Sequence, residues 1–142
     1  MSQSDKNILV ELSIEKAKQA LISAEENLKI EQPETALNRN YYAIFYAVLA
    51  LGYKYDFITS KHSKLMGWFN KKFIHEENIF DDNMFKIYSK AFERRQKCDY
   101  DITYKATPES INELITDSKY FITKIADHIS GRSPHGESYN NF

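Results

Sequence analysis

What this chain lacks constrains it most. Four glycines and three prolines are spread over 142 residues, against roughly 12% in average usage. So few turn-formers leave little room for the tight turns of a sandwich or barrel. The sequence therefore points to an all-α fold. The segment after Thr107-Pro108-Glu109 shows the pattern most cleanly. A capping hydroxyl, a proline at the first helical position and an acid in the first turn mark its start. Ile111, Leu114, Ile115, Ser118, Ile122, Ile125 and Ile129 then recur at helical spacing until Gly131.

Four earlier segments follow the same rule. The first runs from about Ile8 to Ile30 and is interrupted at Glu31-Gln32-Pro33. The second, from about Glu34 to Tyr53, is apolar nearly all round and so belongs at the centre, with Gly52 as its stop signal. Thr59 or Ser60 is positioned to cap a third, striped by His62, Leu65, Met66, Phe69 and Phe73, before a turn at His75-Glu76-Glu77-Asn78. A fourth begins near Asp81 to Asn83, runs through Met84, Tyr88, Ala91, Phe92 and Arg95, and fades at Cys98 to Asp101. One domain over residues 8–130 is expected, with a disordered N-terminus (1–7) and a disordered polar tail (131–142).

Lys and Arg number 19 against 20 Asp and Glu, a formal charge of -1. That balance argues against a globally basic nucleic-acid binder but not against a local basic site. Cys98 alone excludes an intramolecular disulfide framework and a cysteine-based zinc site. No targeting or membrane-spanning segment is visible, so a cytoplasmic protein without membrane association is expected. Phosphate-loop, dinucleotide, zinc-protease and serine-hydrolase motifs are absent. The four histidines are too scattered to form a metal pair, and no cofactor is implied.

The informative residues are charged groups on faces that ought to be apolar. Arg95 continues the inward stripe of the fourth helix, with Asp99 one turn later as its nearest partner and Tyr100 beyond. Arg39 repeats the pattern beside Tyr42 and Tyr46. A buried guanidinium needs an acid, a phosphate or a crevice. Two readings follow: internal salt bridges that orient helices, or planar forks aimed at a phosphate. His62 is either a packing residue or a site residue. Lys71-Lys72, near Lys61 and Lys64, is a solvated face or a phosphate-steering patch. Cys98 reads as a small buried side chain.

These residues fall into a recognisable order. Ala36-Leu37-Asn38-Arg39-Asn40-Tyr41-Tyr42-Ala43-Ile44-Phe45-Tyr46-Ala47 resembles the AxxRxYYAxFxA signature of HEPN (higher eukaryotes and prokaryotes nucleotide-binding) domains. Ser60-Lys61-His62-Ser63 is similar to the start of that family's third helix, and Arg95-Gln96-Lys97-Cys98-Asp99-Tyr100 to its RxxxDY element. The likeness covers roughly residues 8 to 130.

The resemblance implies a compact four-to-five-helix, up-and-down bundle, usually a homodimer. Such domains are often encoded beside a minimal nucleotidyltransferase as a toxin–antitoxin pair. Many are metal-independent endoribonucleases using an arginine followed four to six residues later by histidine. Here, counting four to six intervening residues from Arg95, those positions are Tyr100, Asp101 and Ile102, and none is histidine. The expectation is a toxin-like protein directed at RNA, with Arg95 as phosphate contact. Asp99 would orient Arg95, Tyr100 would touch substrate or be modified, and Arg39, Tyr42 and His62 would support the site. The alternative is a non-catalytic module that binds a nucleotide or a nucleotidyltransferase partner.

Overall fold

The structure, a computed structural model, describes residues 1–131, so the tail expected to be disordered lies outside the described residues. Five α-helices, and no strand among the described residues, make the bundle. They are α1 (Gln3–Lys29), α2 (Pro33–Lys54), α3 (His62–Phe69), α4 (Asp82–Tyr100) and α5 (Pro108–Ser130). The apolar circumference of α2 is explained by its neighbours, for it packs against α1, α3, α4 and α5. Tyr41, Ile44, Val48 and Leu51 are fully buried on it.

Three local expectations need correction. The N-terminus is helical from Gln3, because Ser2 and Asp5 close a reciprocal capping box. Asp5 N–H donates to Ser2 Oγ at 3.1 Å, and Lys6 anchors the turn on Asp56 at 3.1 Å. Polar composition concealed a start signal at Ser2, six residues ahead of Ile8. Next, α2 continues past Gly52 to Lys54. Gly52 is buried within the helix because a Cβ there would stand 2.5 Å from the Phe57 carbonyl oxygen. Finally, neither Thr59 nor Ser60 caps α3. Lys61 holds the cap position without a side-chain acceptor, and Thr59 Oγ1 instead takes the Lys61 N–H at 3.1 Å.

The third helix also runs on further than its turn signal suggests. Residues Asn70–Glu76 widen into a π-helix, and the chain turns only at Asn78, whose φ is +49°. The Phe73 carbonyl then accepts from both Ile79 N–H (2.8 Å) and Phe80 N–H (3.1 Å), which ties the turn to the helix. The ends of α4 and α5 follow the sequence closely. Asp81 and Thr107 cap them, and Gly131 ends α5 in the left-handed conformation at φ +74°.

The centre of the core is aromatic. Tyr41, Tyr88, Phe69, Phe73 and Phe121 are among its largest fully buried side chains. Phe69 packs against Phe73, Phe80, Tyr88 and Phe121 with ring centroids 5.5–5.9 Å apart, spacing at which such pairs contribute beyond simple burial.

Candidate functional site

The site is assembled where α2, the start of α3 and the C-terminal half of α4 meet. Arg39, Tyr41 and Tyr42 come from the first two turns of α2, His62 opens α3, and Arg95 and Asp99 come from α4. Packing Tyr41 against Phe92 (5.9 Å) brings α4 to this face.

Arg95 is only 23% exposed, and its guanidinium carbon lies 5.0 Å from the Tyr41 ring centroid and 5.2 Å from that of Tyr42. The Arg39 guanidinium carbon lies 5.1 Å from the same Tyr42 ring. One phenol therefore serves two cations, each within cation–π reach. Neutralisation is poor. Asp99 Oδ2 stands 3.7 Å from Arg95 Nε, an ion-pair contact too long for a hydrogen bond, and that buried Nε has no hydrogen-bond partner. Arg39 forms no ion pair among the described residues. The internal salt-bridge reading is met in part by Arg95 and not at all by Arg39.

His62 joins them. Its ring stacks on Phe45 at 4.2 Å and 22°, and Tyr42 meets it edge-on at 5.7 Å. Tyr41 Oη and His62 Nδ1 are 2.7 Å apart. Burial, with the Arg95 charge second, pushes the imidazole below its ordinary pKa. Burial likewise holds the Tyr41 phenol above its usual range, the Arg95 cation opposing it. A protonated phenol beside a neutral imidazole is the resulting state.

The other sequence-derived candidates fall into place or out of it. Tyr42 is half-buried at the centre of the cation cluster. Tyr100 is not brought in: it is the last residue of α4 and 84% exposed. Cys98 is half-buried, its thiol pushed up by burial and then by Glu34 and Asp99, which is opposite to what an activated thiolate needs. Of the lysine run, Lys72 leaves the solvated face to pair with Glu77 and lie 5.1 Å over Tyr55. Sequence reasoning missed Tyr41, which reads as one more core position; the adjacent pair Tyr41-Tyr42 beside Arg39 was its only signal.

A second polar–aromatic cluster lies near the start of α4. Tyr55 Oη and His128 Nε2 are 2.8 Å apart, and Phe73 and Phe80 meet the His128 ring edge-on. Beside it opens a cavity of about 540 Å³ lined by Phe80, Met84, Tyr120, Lys124, Asp127 and His128, among others. Nothing in the sequence announces the pairing, because Tyr55 and His128 are 73 positions apart. Among the described residues no three His, Cys, Asp or Glu side chains are grouped to hold a metal ion. No helix there is long and apolar enough to cross a membrane.

Comparison with known proteins places this geometry. The HEPN domain model matches residues 10–129. The chain is 31% identical over 124 residues, 87% of its own length and 84% of the relative's, to a protein of Methanocaldococcus jannaschii named as a "putative toxin". It is 30% identical over 122 residues (86% and 92%) to a UPF0332 protein of Thermotoga maritima. A UPF0332 protein of Archaeoglobus fulgidus is 27% identical over 123 residues (85% and 95%).

Proposed function

The chain belongs to the HEPN domain family, and from that premise we propose that it is a toxin-like protein directed at RNA, gripping a backbone phosphate with Arg95 and Arg39. The observation that carries this reading is the pair of guanidiniums on one tyrosine ring, Arg95 with a single carboxylate at 3.7 Å and Arg39 with no ion pair among the described residues. Two guanidiniums held 5.1 and 5.2 Å from one ring concentrate positive charge on this part of the bundle. A phosphate bound there would offset that charge and satisfy the planar forks. Each charge-assisted contact is worth about 1.5–3 kcal/mol, or roughly 10- to 100-fold in affinity. The name of the Methanocaldococcus relative supports the toxin part. In this reading the protein works in the cytoplasm as a homodimer, beside a minimal nucleotidyltransferase that neutralises it.

The test is incubation of the purified protein with total RNA in the absence of added metal, alongside Arg95→Ala. Cleavage abolished by the substitution supports an endoribonuclease. Cleavage that is absent, or equal in the two proteins, excludes one that depends on Arg95.

A second reading, a non-catalytic nucleotide-binding or nucleotidyltransferase-partner module, has its own observation. No histidine follows Arg95 on α4, and the one imidazole nearby has Nδ1 engaged by Tyr41. Calorimetric titration with mononucleotides, and co-purification with a co-expressed nucleotidyltransferase, would support it. Absence of both would count against it.

A further inference from the structure

His62 lies against Tyr42 and within reach of the Arg95 charge, so its hydrogen positions decide what it can do at this face. Its Nδ1 and the Tyr41 hydroxyl are 2.7 Å apart, and among the described residues this is the only hydrogen bond of either side chain. One partner must donate. Tyr41 is fully buried. Were Nδ1 to carry the proton, the phenolic O–H would be left without an acceptor, which disfavours that arrangement roughly 10- to 100-fold. Tyr41 therefore donates, Nδ1 accepts, and the imidazole proton resides on Nε2.

The surroundings keep the ring neutral. From α2 it meets Tyr41, Tyr42 and Phe45; from α4 the charge acting on it is Arg95. Among the described residues no carboxylate acts on it to favour imidazolium. Nε2 is not among the buried atoms without a partner, so it reaches solvent.

We propose that His62 is an uncharged third donor to the phosphate held by Arg39 and Arg95, presenting Nε2–H because Tyr41 fixes its tautomer. The inference rests on the phosphate reading of this face and specifies its donor set. A neutral N–H adds a directional bond without placing a third positive charge beside two guanidiniums. The ligand that matches is a phosphodiester, whose single negative charge is shared over two oxygens. The same tautomer bars His62 from acting as the base of strand cleavage. Its outward nitrogen already bears a hydrogen, so it has no lone pair for a ribose hydroxyl proton. His62 is thus a binding residue, and Tyr41 is the positioning residue behind it.

The experiment is titration of the full chain with a dinucleoside monophosphate, a monoanion throughout pH 5.5–8, paired with nitrogen-15 spectra of the imidazole. The Nε2–H tautomer and a flat affinity across that range are expected. His62→Ala should lose about 10-fold, and His62→Gln, which restores an N–H, should recover most of that loss. Tyr41→Phe removes the donor to Nδ1 and lets the ring protonate, so its affinity should become tighter as the pH is lowered. Wild-type affinity that falls as pH rises through 6–7 would identify imidazolium as the ligand and overturn the proposal. So would an Nδ1–H tautomer, or His62→Ala binding like wild type while Arg95→Ala does not; these results leave the arginine site standing. A wild-type protein that binds no diester would sink the phosphate reading itself, and the donor role with it.

Discussion

The bundle contains two tyrosine–histidine pairs, and their likeness makes their difference instructive. Tyr41–His62 and Tyr55–His128 both bring a phenol within 2.8 Å of an imidazole nitrogen, and both imidazoles stack on aromatic neighbours. In both, burial pushes the histidine below its ordinary pKa. Their cations differ. Lys72, lying over Tyr55, is ion-paired to Glu77, and Lys54, 6.0 Å over the same ring, is exposed to solvent. Arg95, on Tyr42, has one carboxylate beyond hydrogen-bond distance, and Arg39, on the same ring, has no ion pair among the described residues. On the proposed reading, a stacked pair whose cations are ion-paired or solvated stiffens the fold, and a stacked pair beside half-buried, poorly paired guanidiniums receives an anion.

The comparison can be broken most forcefully at Phe73. This fully buried ring contacts Tyr55, Trp68, Phe69, Phe80 and His128. Phe73→Ala should cost about 3–5 kcal/mol, read as a fall in the urea midpoint at unchanged slope. A loss under 1 kcal/mol would mean that the π-helical segment is not cemented by this cluster.

A gentler change sharpens the contrast. Tyr55→Phe deletes one neutral hydrogen bond and should cost about 1 kcal/mol while leaving diester affinity at the arginine face unaltered. A drop in that affinity would show that the two clusters are coupled.

How much of this was legible beforehand follows from the same contrast. Arg95 is conspicuous in sequence because its spacing from Met84, Tyr88 and Ala91 places a charge on an apolar stripe. Its distance from the Tyr42 ring is a tertiary fact that no spacing within α4 contains. His62 could be placed on an apolar stripe, but its meeting with Arg95 depends on how α3 is seated against α2 and α4. Tyr41 was invisible as a site residue because its ring contributes to the core while its hydroxyl does the polar work. Tyr100 lies apart from the cluster. It adjoins Asp99 in the motif, yet the end of α4 leaves it 84% exposed. The helix N-terminus at Gln3 and the passage of α2 through Gly52 were hidden for local reasons, a cap built from polar residues and a close backbone approach.

The smallest expected effect is on pH dependence, and it treats the two pairs alike. Both folded histidines resist protonation, whereas in the unfolded chain they titrate near 6.5. Below that value the unfolded state binds more protons than the folded one, so stability declines as pH is lowered and is level above it. Thermal midpoints should fall between pH 7.5 and 5.5, and the double substitution His62→Gln with His128→Gln should flatten the curve. A wild-type midpoint that rises on acidification would contradict the neutral assignment of both rings.

The central claim is that unneutralised guanidiniums on a shared tyrosine ring, rather than the cavity beside His128, receive the phosphate. A crystal structure of the protein with a bound dinucleoside monophosphate tests it directly. The predicted result is a phosphate with oxygens within about 3 Å of both Arg39 and Arg95. A phosphate held instead by Lys124 in the cavity, with both arginines still stacked as they are without ligand, would contradict it.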